Sequence, residues 1–274
     1  MEGADTVKNN LSARQQYLRD IKTRNCRVLA AQLAIVAVFV LSWEIAARTG
    51  VIDSFIFSSP SGIVEITVTM AQSDLFYHIF ITVLETVAGF AIGVVLGLAI
   101  AVWLWFCPFA GKVAAPYLVV LNSLPKIALG PVIIVWAGAG TTAIIVMAVA
   151  ISLIVTVLEL SGGFAATDNA LITTIRSFGA NKRQIFLKVV LPANLPVLFQ
   201  SLKVNIGLSL VGVIAGEFLV SKAGLGYLIV YAGQVFRMDM VMMSVILLGI
   251  IAFVMYQLVN LVRQIAEKKI NHNN

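Results

Sequence analysis

Charge is scarce in this 274-residue chain. Asp, Glu, Lys and Arg make up 12% of it and apolar residues 60%, against about 25% and roughly 45 to 50% in soluble domains. A water-soluble globule is excluded, because the apolar sequence suffices for several spans of ~20 residues and must be buried largely in lipid. Cysteine is also scarce. Cys26 and Cys107 sit in no CxxC or Cys/His cluster, and both fall near expected cytosolic ends of spans, so neither a disulfide nor a zinc site is expected. Missing too are a GxxxxGK[ST] phosphate loop, an HExxH, a GxSxG and a convincing carboxylate pair. No catalytic residue, metal or resident cofactor is therefore expected, and energy for any work must come from elsewhere. The two histidines, His78 and His272, lack partners in sequence and are expected to be solvated or interfacial.

What is present is a series of long apolar runs without period-2 alternation, which excludes a barrel and predicts an all-α polytopic membrane protein with about six transmembrane helices. Spans are expected over about 28–47, 79–106, 113–137, 141–160, 195–220 and 241–262. The first begins after a basic, polar stretch and is too long for a signal-peptide core, so it is expected to be retained. Residues 1–27 suit a cytosolic tail with an interfacial helix, residues 28–265 a single transmembrane domain, and residues 266–274 a short tail. Ser61 is placed to cap a short amphipathic helix over 63–70. Gly89, Gly93 and Gly97 fall four apart on the second span and predict a close helix contact. The third region is interrupted by Asn122, Ser123, Pro125, Lys126, Gly130 and Pro131.

The net charge of +6 reports topology rather than nucleic-acid binding. With both termini and residues 161–195 on the cytosolic side, 16 of the 19 basic residues are counted inside, leaving Arg48, Lys222 and Arg237 outside, as the positive-inside rule requires. The 161–195 segment reads as two short amphipathic helices joined at Gly179. Leu171, Ile175 and Phe178 are spaced i, i+4, i+7 as an apolar face, with Arg176, Lys182 and Arg183 around it.

Within that segment, Gly179-Ala180 is followed by Val189-Val190-Leu191-Pro192. A glycine followed at this distance by aliphatic-x-Leu-Pro resembles the cytosolic EAA loop of permease subunits of binding-protein-dependent ABC importers. The Glu-Ala-Ala of the motif falls on Thr173-Thr174-Ile175, so its acidic contact is absent. Pro125 to Pro131 with Trp136-Ala137-Gly138-Ala139-Gly140 resembles the third-span signature of the nitrate, sulfonate and taurine branch. Ala215-Gly216-Glu217 with Gly224-Leu225-Gly226-Tyr227 looks like the segment after the fifth span. The resemblance covers roughly residues 28–265. It implies a type I ABC importer permease fold in a prokaryotic plasma membrane and a homodimer on two ATPase subunits that bind ATP and Mg. It also implies an extracytoplasmic binding protein and a substrate such as a small anion (nitrate, a sulfonate or taurine) or a heterocyclic vitamin precursor. Leu171 to Arg183 with Leu191 and Pro192 would then form the ATPase-coupling segment.

A lysine at bilayer depth costs roughly 2.5 to 3.5 kcal/mol on insertion scales. Lys126 must accordingly face a path, snorkel, or satisfy carbonyls released by the nearby prolines. Lys126, Asn122, Ser123 and Glu217 are the candidates for lining a translocation path, while Glu44, Glu85 and Glu159 lie near span ends or helix interfaces. A standalone ion-coupled carrier is the rival reading, and it would call for paired carboxylates deep in the spans.

Overall fold

Between Ala4 and Thr49 the sequence has neither glycine nor proline, and a single helix runs through it. The computed structural model describes residues 2–272 and, among the described residues, contains helices and no strand. Helix α1 (Glu2–Arg48) carries the expected tail and the first span without interruption. The interfacial helix expected to end at the membrane surface is instead continuous with the span, since nothing in its sequence breaks an α-helix.

The chain divides into two units, the first ending at Glu65. In that unit α1 is followed by α2 (Ser54–Phe57), capped by Asp53, whose carboxylate accepts from the Phe55 N–H. Helix α3 (Pro60–Ala71) then begins. Its first turn is capped by Ser59, whose Oγ accepts from the Gly62 N–H at 3.1 Å, and not by Ser61 as expected. Pro60 is well suited to the first helical position because it has no N–H to satisfy there. The Ser61 N–H instead donates to Glu44 at 3.0 Å.

The second unit, from Ile66 on, holds α4 (Leu75–Phe106), α5 (Pro108–Ser123), a 3-10 turn (Lys126–Leu129), α6 (Gly130–Ala137) and α7 (Thr141–Ala165). Next come α8 (Asn169–Ser177), α9 (Lys182–Ile185), a π turn (Phe186–Val190) and α10 (Leu191–Ala193). The chain continues with α11 (Leu195–Val220), α12 (Leu225–Gln234) and α13 (Met238–His272). Among the described residues, five helices are long and apolar enough to cross a membrane: Ile21–Arg48, Leu75–Phe106, Thr141–Ala165, Leu195–Val220 and Met238–Ala266. The third expected span is a broken one, Pro108–Ser123 and Lys126–Ala137 meeting at 87°. Leu124, forced out of the helical region by the following Pro125, has φ −66° and ψ 140°. Lys126 therefore lies past the C-terminal end of α5, at the break itself.

Helix α7 is the centre of this unit, buried along Ile144, Met147, Ala148, Ile151 and Ser152. A Cβ on Gly89 of α4 would lie 2.5 Å from the Ala148 Cβ, one on Gly93 would strike Ser152, and one on Gly97 would lie 2.6 Å from Thr156. The expected glycine stripe is thus the α4–α7 contact. A second stripe, which the sequence reading missed, brings α11 onto the same helix. A Cβ on Gly212 would sit 2.6 Å from the Ala148 Cα, and one on Gly216 3.0 Å from the Ile144 Cα. With both neighbours at backbone distance, dispersion contacts replace a hydrophobic driving force that lipid does not supply. The segment after the fifth span, expected as a loop, contains the ten-residue helix α12.

Candidate functional site

Three places bring the expected residues together. The first is the polar segment between α7 and α11. Asp168 caps α8 by accepting from the Ala170 N–H at 2.8 Å. Asn181 and Gln184 form a reciprocal capping box on α9. Between the two helices Gly179 takes φ +82° with open space around it, a left-handed backbone that a side chain opposes. The aliphatic stretch that follows winds as the π turn before Pro192, whose missing N–H and bulky ring favour a widened turn.

This segment packs against the ends of α4 and α7. Ile185, Phe186 and Val190 join Ala101, Leu160 and Phe164 in one apolar cluster, with Trp105, Phe106, Ile172, Ile175, Ala180 and Leu191 around it. The expected face of Leu171, Ile175 and Phe178 is consequently split. Ile172 and Ile175, three apart, take the seat on the body, whereas Leu171 is 52% and Phe178 83% exposed. At about 100° per residue, Leu171 and Phe178 lie to one side of the seated pair. Arg176, on the far side of the seated pair at this spacing, is exposed as well, as are Arg183 and Pro192. Lys182, grouped in sequence with the outward basic residues, is exposed but folds onto the end of α4. Its Nζ donates to the Phe106 carbonyl at 2.7 Å and lies 5.5 and 5.9 Å from the Trp105 and Phe106 ring centroids. A cation there meets both an unpaired helix-end carbonyl and two aromatic faces.

The second place is the break in the third span. The 3-10 turn and α6 face α11 across an open apolar groove of about 540 Å³, lined on one side by Ile127, Ala128 and Pro131 and on the other by Val211, Ile214 and Phe218. Lys126, next in sequence, donates to the Asn122 carbonyl at 2.9 Å and its Oδ1 at 3.2 Å. The Ser123 hydroxyl donates to the Val119 carbonyl at 3.0 Å. The lysine thus satisfies a carbonyl that the break sets free, the local alternative open to it in sequence.

The third place is the junction of α4, α11 and α12. Glu217, expected to border a path, is 1% exposed. Its carboxylate accepts from the Thr82 hydroxyl at 2.7 Å and the Gly226 N–H at 2.5 Å. The Thr82 Oγ1 accepts in turn from the Leu225 N–H at 2.8 Å, so the first N–H groups of α12 are held by side chains. Gly224 passes so close to the carboxylate that a Cβ has no room. His78, expected to be solvated or interfacial, is buried. Its Nδ1 accepts from the Gly224 N–H at 3.0 Å, and its ring stacks on Tyr227. Glu217 is thus a clamp across 135 residues of chain, sealed away from the groove. Sequence reasoning missed Thr82 as its donor and His78 as the acceptor for the neighbouring Gly224 N–H. The signal was the rule that an intramembrane carboxylate needs donors, but those donors are distant in sequence.

Comparison with known proteins agrees with this architecture. Residues 93–272 match the family model described as binding-protein-dependent transport system inner membrane component. The chain is 30% identical to a probable ABC transporter permease protein of Haemophilus influenzae, over 83% of this chain and 93% of that one. It is 28% identical to the formylaminopyrimidine transport permease protein ThiX of Halalkalibacterium halodurans, over 68% of this chain and 74% of that one. It is 29% identical to the putative aliphatic sulfonates transport permease protein SsuC of Escherichia coli, over 76% and 80%. Among solved structures, a chain of the MetNI methionine ABC transporter in an inward facing conformation superposes with a TM-score of 0.63 at 20% identity, covering 69% of this chain and 94% of that one. Broken third span, helical insertion between α7 and α11, and family match converge: the chain belongs to the binding-protein-dependent transport system inner membrane components and is a multi-pass permease subunit of an ABC importer with the type I fold.

Proposed function

We propose that two copies of this chain form the translocation path between them, on two ABC ATPase subunits that bind ATP and Mg, and receive substrate from an extracytoplasmic binding protein. The observation that carries this reading is the 87° break at the third span beside an open apolar groove on α11. Broken backbone at membrane depth is tolerated where it lines a cavity or is covered by protein. Both termini and residues 161–195 lie in the cytosol, in keeping with the excess of basic residues there. The exposed residues Leu171, Arg176, Phe178 and Arg183 face a groove on the ATPase, because an aromatic side chain left 83% exposed on a segment that also carries exposed arginines is suited to a protein partner.

The substrate is a small anion such as nitrate, a sulfonate or taurine, or a heterocyclic vitamin precursor. Relatives named for aliphatic sulfonates and formylaminopyrimidine support this range. The groove's apolar lining suits the apolar body of such a ligand. Family membership disfavours the standalone carrier. The test is to purify the chain with the ATPase and binding protein encoded beside it and reconstitute the complex in vesicles. Uptake of the binding protein's ligand that requires ATP is expected. Uptake driven by an ion gradient without ATP would overturn the reading.

A further inference from the structure

Glu85 lies on α4 one turn beyond Thr82 and is 1% exposed, as is Glu217. The groups around it are Thr141 at the start of α7 and the Glu217 carboxyl itself. Around Glu217 stand Thr82, Gly226, Tyr227 and Glu85. Among the described residues no lysine or arginine touches either carboxyl, and the Glu85 Oε2 has no hydrogen-bond partner. The other titratable side chains at this junction are His78, whose Nδ1 is already taken by the Gly224 N–H, and Tyr227, stacked upon it.

Hydrogen-bond accounting assigns the charges. The Thr82 hydroxyl and the Gly226 N–H both donate to Glu217, one to each oxygen. Glu217 is therefore an acceptor on both sides, as an ionised carboxylate is. A second carboxylate pressed against it, buried, without a cation and with an unpaired oxygen, would be desolvated and repelled at once. We infer that Glu85 and Glu217 form a proton-binding site that holds one proton, with Glu85 the neutral acid donating its O–H to the Glu217 carboxylate. The proton joins α4 to α11 directly, while Thr82 and the Gly226 N–H tie the same carboxylate to α12. The third turn of α4, the end of α11 and the starts of α7 and α12 thus meet on one acid pair. Both carboxyls are buried and neither lines the apolar groove; a deep carboxylate pair is what the standalone-carrier reading called for, but the family match disfavours that reading, and the proton is assigned to the fold of the junction.

The test uses the full chain in its importer complex, reconstituted in lipid at neutral pH and examined by infrared spectroscopy for the C=O stretch of a protonated carboxyl. Glu85→Gln is expected to remove one such band while keeping assembly and ATP-driven uptake within about twofold of wild type, because the amide replaces the O–H donor. Glu217→Gln is expected to keep the band and shift its frequency, since Glu85 would lose its charged acceptor. Should Glu85→Gln fail to assemble, Glu85→Asp, which keeps the acid, must show the band displaced. A spectrum in which none of these substitutions alters a protonated-carboxyl band overturns the inference. So does a thermal stability of the wild-type complex that rises with sodium or potassium and loses that response in Glu85→Gln, which would mean a metal cation in place of the proton.

Discussion

Glycine does opposite work at two kinds of position in this permease. On α4 and α11 it is absence of volume that matters. A Cβ at Gly212 would come 2.6 Å from the Ala148 Cα and 3.0 Å from its N, atoms of a helix backbone that cannot turn aside. Gly212→Ala is expected to destabilise the complex by about 1–3 kcal/mol, the usual cost of overpacking, and to lower its unfolding temperature in lipid or detergent. Gly207→Ala, five residues earlier on α11 with nothing within 4 Å, is the matched control. It is expected to be neutral or to stabilise by up to ~1 kcal/mol through helix propensity. At Gly179 volume is free and conformation is what matters: φ is +82° with no neighbour within reach. Gly179→Asn is expected to preserve coupling. Gly179→Val, costing about 1–2 kcal/mol in a left-handed backbone, is expected to weaken ATPase association or uncouple hydrolysis from uptake without impairing membrane insertion. Wild-type binding, turnover and uptake in Gly179→Val would remove the turn from the coupling mechanism.

The segment of α8, α9 and the π turn shows how a short element can have two faces with different tasks. Ile172, Ile175, Ile185 and Phe186 fasten it to the ends of α4 and α7, while Leu171 and Phe178 stay outside. Lys182 belongs to the fastening side, because its ammonium bonds the last carbonyl of α4 and faces Trp105. Lys182→Met is therefore expected to leave ATPase binding within about twofold of wild type while lowering the number of substrate molecules moved per ATP. Lys182→Arg, still cationic and able to reach the carbonyl, is expected to restore most of it. Lost ATPase binding in Lys182→Met, measured by co-purification, would instead mean that the lysine contacts the partner. The motif's missing acidic residue, at Thr173, falls on the exposed side of α8, so the proposed docking would rely on apolar and basic groups there.

At the scale of the whole molecule, the proposed topology makes a simple demand. In a chain with Cys26 and Cys107 replaced by serine, single cysteines at Val51 and Lys222, both exposed, are expected to react with an impermeant maleimide added to intact cells. One at Asn181 is expected to react only after the membrane is opened. The reverse pattern would invert the orientation. Val51 serves better than Ser58, which is buried.

The sequence by itself determined the class of the molecule and most of its spans. Apolar run length and the scarcity of charge leave helices in lipid as the solution, and the fifth span matched α11 at both ends because Pro196 and Ser221 mark its limits. The four-residue spacing of Gly89, Gly93 and Gly97 foretold a contact, since helical periodicity puts such residues on one face whatever lies opposite. Periodicity cannot name that partner. That Ala148 receives glycines from both α4 and α11, that Leu171 and Ile175 part company, and that Lys182 folds onto the end of α4 were decided when α7 settled between its neighbours. The same holds for Glu217. Its depth in a span announced that it needs donors, but Thr82 lies 135 residues away, and only the packing of α4 beside α11 and the start of α12 made that hydroxyl the nearest one.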